Sequence, residues 1–227
     1  FFAWLMTRTN LIARNKFKTF LSLPYAIPPF IGAISWIYLA NPTNGLINQF
    51  YGQSVFNIYT LAGLIFVESS FLYTYVFLST CSALELMDPS LEEAAKTSGA
   101  NTFQTFFKIS LPLISPSIIN SGLLVFLATV ASFGVPALIG GPASLKVMTT
   151  EIYQLQKMGT TSALQTSILL SCILLFFSVF IIYTTQKIST KRKYSLVTGK
   201  AARASLTDLK KYQSVFLIIV FLFLIIC

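Results

Sequence analysis

Histidine is absent from this 227-residue sequence, cysteine occurs only as Cys81, Cys172 and Cys227, and acidic residues number seven. Without histidine there is no imidazole acid or base and no His/Cys zinc spacing; three scattered cysteines make no disulfide framework of the secreted kind. Charge of either sign is scarce, at 10% of residues, against about 25% in an average soluble domain. A water-soluble surface cannot be built from that composition. What is abundant is apolar: 55% of residues are hydrophobic and 15% aromatic, 21 of them Phe, and the mean hydropathy is +0.73. These values belong to a polytopic membrane protein.

Four apolar segments have the length of a membrane span, at about Thr19 to Ala40, Leu61 to Leu84, Ser117 to Ile139 and Thr161 to Gln186. Backbone polar groups in lipid must be paired within the segment, so each is expected to be a helix. Continuous charged faces, which a soluble helix needs, are missing from all four. Pro24, Pro28 and Pro29 remove backbone donors from the first span and predict a kink near its start. Both ends read as cut. Phe1 to Met6 resembles the last turns of a preceding membrane helix rather than a signal peptide, and the run Val215 to Cys227 is shorter than the ~20 residues of a span. The expected organisation is a transmembrane domain over 1–186, a basic cytoplasmic linker over 187–212, and the truncated start of a further helix over 213–227.

Basic residues give the orientation. Arg8, Arg14, Lys16 and Lys18 precede the first span, Lys96 and Lys108 lie between the second and third, and eight Lys and Arg lie between Lys187 and Tyr212. The alternate loops carry only Lys146 and Lys157. Fourteen against two puts the first set in the cytoplasm. The net charge of +9 is thus mainly an orientation signal, and the run Lys191 to Lys193 reads as a headgroup-facing loop rather than a nucleic-acid site.

One cytoplasmic loop is informative, from Asp88 through Gly99 to Pro112. Asp88 before Pro89 suits an N-cap with a first-turn proline, and Ser90 with Glu93 fits a capping box, so a short helix is expected to start there. Ala94 and Ala95 leave a smooth face for close approach by another protein, and Gly99 suits the left-handed residue that ends a helix. Phe103, Phe106 and Phe107 form an apolar stripe at helical spacing, expected to pack under the bundle, and Pro112 marks the turn into the next membrane helix.

The spacing Glu93-Ala94-Ala95, three residues, Gly99, nine residues, Ile109-x-Leu111-Pro112 matches, residue for residue, the EAA signature of binding-protein-dependent ABC importer permeases. The stretches Leu23 to Phe30, Asn44 to Asn48, Phe133 to Gly140 and Thr149 to Tyr153 further resemble the ferric-iron branch of that family. The resemblance implies an all-α polytopic fold, the type I permease bundle of ABC importers, with the signature loop as a coupling helix seated in the ATPase subunit. Glu93, Ala94, Ala95, Gly99, Ile109, Leu111 and Pro112 are then the ATPase-coupling residues. The implied partners are cytoplasmic ABC ATPase subunits, an extracytoplasmic substrate-binding protein, a second permease half or subunit, and the lipid bilayer, in a bacterial inner membrane. Ferric-iron permeases commonly carry two halves in one polypeptide, each with such a loop; one loop is present here.

No phosphate-binding loop occurs in the sequence, since Gly199-Lys200 lacks both the upstream Gly and the following Ser or Thr. No cofactor of the chain itself is therefore expected; ATP is bound by the partner subunit, and the chain is a transport subunit rather than an enzyme. Glu68 is the acid inside the apolar part, with two readings, a polar point on the translocation route or a hydrogen-bonded contact between helices. Ser117, Ser121, Ala128 and Ser132, with Thr129 beside them, fall near one face of the third span, ahead of the Phe133-Gly134-Val135-Pro136 break. That face reads as a pathway lining with a gate at Gly134 and Pro136, or as close helix packing. Ferric iron is the expected substrate, with thiamine or another small solute as the alternative; Tyr73, Tyr75 and Tyr153 do not become iron ligands on residue type alone. From a different class, an ATP-independent carrier or channel would need an intramembrane polar site.

Overall fold

The structure, a computed structural model, describes residues 1–191, 206–209 and 212–226. In chain order the helices are α1 (Phe2–Arg8), α2 (Arg14–Ser22), α3 (Pro29–Ala40), α4 (Leu46–Tyr51), α5 (Leu61–Leu86), α6 (Ser90–Thr97), α7 (Thr102–Thr105), α8 (Leu111–Val130), α9 (Met148–Met158), α10 (Thr161–Lys191) and α11 (Gln213–Ile226). A 3-10 turn follows α2 at Leu23–Ala26, and two π-turns lie at Phe106–Ser110 and Pro136–Gly140. Among the described residues there is no strand, and the helices Leu61–Leu86, Thr102–Val130 and Thr161–Thr184 are long and apolar enough to cross a membrane. Helices α2 and α3 form a broken fourth candidate. The all-α, multi-span reading of the sequence therefore holds.

Proline accounts for the division of the first span, while the other span ends depart from the expected ones without it. The first span is divided rather than kinked, because Pro28 and Pro29 together withdraw two donors and α3 starts afresh with Pro29 at its first position. The third span begins fifteen residues earlier than expected, at Thr102, and ends at Val130 instead of Ile139. Neither Pro112 nor Pro116 stops it. The π-turn just before Leu111 absorbs the first of these prolines, and the Pro112 carbonyl, which Pro116 leaves without its helical N–H, accepts the Ser115 hydroxyl at 2.8 Å. The helix that carries the fourth span continues to Lys191, five residues past the Gln186 boundary, although its span-forming part ends at Thr184. Most of the expected basic linker, including Arg192, Lys193, Lys200, Arg203, Lys210 and Lys211, lies outside the described residues.

The chain forms two compact units. The first comprises residues 1–24, 73–124 and 186–227. Its core joins Leu5 and Met6 of α1, Leu21 of α2, Phe77, Cys81 and Leu84 of α5, Ile114 of α8 and Val220 of α11. The segment 206–209 lies along the end of α1: the Thr207 N–H donates to the Arg8 carbonyl at 2.8 Å, and the Asn10 side chain donates to Asp208 at 2.8 Å. The second unit comprises residues 25–72 and 125–185. Its core is Ala33 and Ala40 of α3, Ile58 in the loop ahead of α5, Val67 and Phe71 of α5, and Val135 and Ile139 around the second π-turn. Gly32 is required there, since a Cβ at this position would run into the Phe71 ring.

Along α10 the apolar side chains Leu175, Phe176, Phe177, Val179 and Phe180 are all more than half exposed. In water this would be a liability; on a membrane helix it is the surface offered to lipid or to another apolar chain.

Candidate functional site

The signature loop builds α6. Its start is fixed by Asp88, whose Oδ1 accepts the Ser90 N–H at 2.9 Å. That bond, with the Ser90 hydroxyl beside it, holds the Asp88 carboxyl below the ordinary carboxylate range. The capping box expected between Ser90 and Glu93 does not form. Ser90 is already inside the helix, so its hydroxyl is not in the N-cap position. The box occurs instead at α7, where Asn101 Oδ1 accepts the Gln104 N–H at 2.8 Å and Gln104 Oε1 accepts the Asn101 N–H at 3.1 Å.

The end of α6 is a Schellman turn. Gly99 has φ +87°, its N–H donates to the Lys96 carbonyl, and the Ala100 N–H donates to the Ala95 carbonyl, both at 3.0 Å. No atom lies within 4 Å of where a Gly99 Cβ would sit. Glycine is thus favoured here by conformation rather than by space. Glu93, Ala94 and Gly99 are exposed and Ala95 is half-buried, so α6 presents the small-residue side that a docking surface needs. Ile109 and Leu111 are half-buried and Pro112 is exposed, in the π-turn and first turn of α8.

Two of the three aromatics do not pack under the bundle. Phe103 is 71% exposed and Phe107 48% exposed; their rings lie 4.5 Å apart, centroid to centroid, while Phe106 alone turns onto Trp4. Facing outward beside α6, the pair widens the apolar surface of the loop.

Glu92, which the motif passes over, is the residue that anchors α6. It is 7% exposed. Its Oε2 lies 3.0 Å from Arg8 Nε, an ion pair by distance without hydrogen-bond alignment, and its Oε1 accepts the Ser110 hydroxyl at 2.6 Å. Arg8 is 4% exposed and donates from Nη2 to the Leu84 carbonyl at 2.7 Å, with the Met87 carbonyl at 3.5 Å. The sequence did contain a signal: an arginine at the end of an apolar helix requires a partner.

In the second unit, Glu68 is buried and accepts a short hydrogen bond from the Ser132 hydroxyl. Pro136 has no N–H to return to the Ser132 carbonyl, and that carbonyl accepts the Thr149 hydroxyl at 2.7 Å instead. Gly134 is close to Phe30, with a hypothetical Cβ 2.9 Å from the Phe30 Cβ, and Pro136 is buried. The Thr129 carbonyl joins this group, accepting the Ser132 N–H at 3.1 Å. Ser121 is buried in the first unit with its hydroxyl on the Ser117 carbonyl, and Thr129 is exposed with its hydroxyl on the Val125 carbonyl. Tyr73 donates to the Leu21 carbonyl at 2.7 Å, a structural use of the phenol.

A cleft of about 460 Å³ opens beside this break, lined by Phe133, Ser144, Lys146, Tyr153, Gln154 and Lys157 among others. Its cations are engaged within the chain. Lys146 pairs with Glu151 at 3.2 Å, and Lys157 lies 4.9 Å over the Tyr153 ring.

Residues 1–191 match the family described as the binding-protein-dependent transport system inner membrane component. The ferric transport system permease protein FbpB of Actinobacillus pleuropneumoniae is 31% identical over 214 residues, which cover 91% of this chain and 31% of that protein. The sulfate transport system permease protein CysT of Salmonella typhimurium is 30% identical over 183 residues, 78% of this chain and 66% of that one. The sn-glycerol-3-phosphate transport system permease protein UgpA of Salmonella choleraesuis is 33% identical over 182 residues, 75% of this chain and 60% of that one. The chain therefore spans about a third of the length of the ferric permease and just under two thirds of the sulfate permease. In fold it is similar to a bacterial alginate ABC transporter solved with an alginate pentasaccharide-bound periplasmic protein, with a TM-score of 0.69 at 18% identity over 86% of this chain and 72% of that one. With the family match running over most of its length, and with the helical architecture in agreement, this chain belongs to the binding-protein-dependent inner membrane components, the multi-pass permeases of ABC importers.

Proposed function

We propose that the chain is the permease part of an importer that receives its substrate from an extracytoplasmic binding protein and is driven by cytoplasmic ABC ATPase subunits docked on α6. The observation that carries this reading is the exposed face of α6, with Glu93 and Ala94 outward and the helix closed by Gly99 at φ +87°. Substrate is moved rather than altered, and ATP is held by the partner. Nucleotide-dependent closure of the ATPase pair shifts the permease between inward- and outward-open forms by its differential grip on α6. The break at 131–133, just ahead of Gly134 and Pro136, is the proposed gate, and there the Ser132 hydroxyl is tied to Glu68.

Ferric iron is the proposed substrate. The two ferric permease relatives align with 91% of the chain, against 75–78% for the sulfate and glycerol-phosphate permeases, at similar identity. Residues 187–212 are proposed as a linker toward a second permease half and 213–227 as the start of its first helix, a reading supported by the greater length of the ferric relatives. The test is co-purification of the ATPase subunit with the full transporter, followed by uptake in vesicles supplied with binding protein and ferric, sulfate, glycerol-phosphate or thiamine substrate. ATPase capture that depends on residues 93–99, and ferric uptake, are the expected results. Capture without ferric uptake overturns the iron assignment, and absence of capture overturns the permease role.

A further inference from the structure

Between α6 and the rest of the first unit lies a buried charged cluster of four segments. Arg8 belongs to the last turn of α1, the Leu84 carbonyl to the last turn of α5, Glu92 to the first turn of α6, and Ser110 to the π-turn that leads into α8. Each charge sits where a helix dipole favours it: the guanidinium against the free carbonyls that end α5, the carboxylate in the first turn of α6. Both carboxylate oxygens of Glu92 are engaged, one by Arg8 at 3.0 Å and one by Ser110 at 2.6 Å. Arg8 in turn reaches Leu84 at 2.7 Å. The Arg8 backbone carbonyl is also occupied, by the Thr207 N–H ahead of α11.

A buried ion pair is a poor device for stability, because desolvation offsets most of the attraction and apolar side chains of similar volume serve as well or better. It is a good device for fixing one arrangement, because the pair tolerates little change in distance before both charges are left uncompensated. In this unit it fixes α6 to the ends of α1 and α5 and to the root of α8 together. The remaining surface of α6 offers no comparable grip, since Glu93, Ala94, Thr97 and Ser98 are exposed and their hydroxyls bond only within the helix.

We propose that Arg8, Glu92 and Ser110 form the joint through which movement of α6 reaches α1, α5 and α8, so that these three are positioning residues for energy coupling, distinct from the outward residues that meet the ATPase. This rests on the reading of α6 as the ATPase-docking helix. The joint makes α6 move as one body with the ends of those helices; without it α6 follows the ATPase while the membrane helices lag.

The test uses the full transporter, with its ATPase subunits and binding protein, in vesicles. Arg8→Met with Glu92→Leu removes both charges together and so leaves no unpaired buried ion. The expected result is that uptake per ATP hydrolysed falls at least tenfold in assembled complexes, and about threefold for Ser110→Ala. Uptake per ATP at the unmodified level in the double variant overturns the joint. A second measurement needs no substitution within the cluster: spin labels at Ile12 and Ser98 are compared in nucleotide-free and ATP-trapped complexes. The joint predicts one separation in both states, and a change of several Å contradicts it whatever the variants do. Failure of the unmodified chain to bind the ATPase subunit would overturn the docking role of α6 itself, and is thereby told apart from loss of the joint alone.

Discussion

Glu92 and Glu93 are adjacent in the first turn of α6 but face different surroundings, the first buried on Arg8 and the second exposed. The ~100° step between neighbours on a helix is what separates them. Their substitutions therefore differ in what they cost in stability. Glu92→Gln leaves Arg8 buried without its counter-ion and is expected to destabilise the protein by about 3–5 kcal/mol. Glu93→Lys is expected to change stability by less than about 0.5 kcal/mol, as an exposed site does, while uptake collapses. Thermal unfolding of purified protein together with vesicle uptake checks both, and equal stability loss at the two positions would contradict the assignment.

Gly99 separates conformation from volume. Since nothing lies within 4 Å of its absent Cβ, the penalty of a side chain there comes from φ +87°, about 1 kcal/mol for Ala and more for a β-branched residue. Gly99→Val is expected to unwind the end of α6 and reduce uptake at least tenfold with membrane insertion intact, whereas Gly99→Asn retains most of it. Uptake assays on matched amounts of inserted protein decide this; normal transport by the Val variant would remove the role of the turn.

At the break in the second unit, Ser132 serves twice, through its hydroxyl to Glu68 and its carbonyl from Thr149. Ser132→Ala leaves a buried carboxyl oxygen without its donor and is expected to cost about 1–3 kcal/mol. Ser132→Trp is expected to block uptake per assembled complex if the break is the gate. Unchanged uptake by assembled Ser132→Trp complexes would show that this place does not control passage.

Asp88 gives α6 a pH dependence. Its carboxyl is held below the ordinary range by the Ser90 N–H and then by the Ser90 hydroxyl, so the folded group loses its charge only at a pH below the unfolded value of about 3.9. The sign follows: the contribution is fully present above that value and disappears as pH falls through the lower, folded one. Hydrogen exchange at the Ser90 amide, corrected for intrinsic rates, is expected to stay protected from neutral pH down to about 4 and to lose protection below it. In Asp88→Ala the protection is absent throughout, and a wild-type profile in that variant would discount the cap.

Much of this was legible before the structure. Long apolar runs identify spans because lipid leaves the backbone no other choice, and Gly99 was legible because a left-handed residue ends helices of this kind. Span ends were less so. Pro112 reads as the turn into the third span, yet the helix runs through it and through Pro116, because a π-turn and the Ser115 hydroxyl meet the groups the prolines leave open, and those remedies are local details that composition does not display. Glu92 was missed for a different reason: its partner is 84 positions away in Arg8, and spacing along one helix carries no record of such a pairing. Ser121 and Ser132 share a helical face by periodicity, but the break after Val130 intervenes and each hydroxyl finds its own partner.

Docking of the ATPase subunit on α6 is open to a crosslinking experiment. A single cysteine at Ala94, in a full transporter freed of its other cysteines, is treated in membranes with a short bifunctional reagent, and Ser144 serves as the control on the loop that basic-residue counting puts outside. A permease–ATPase crosslink is expected from Ala94, altered by nucleotide, and none from Ser144. Crosslinking from Ser144 with none from Ala94 would contradict it.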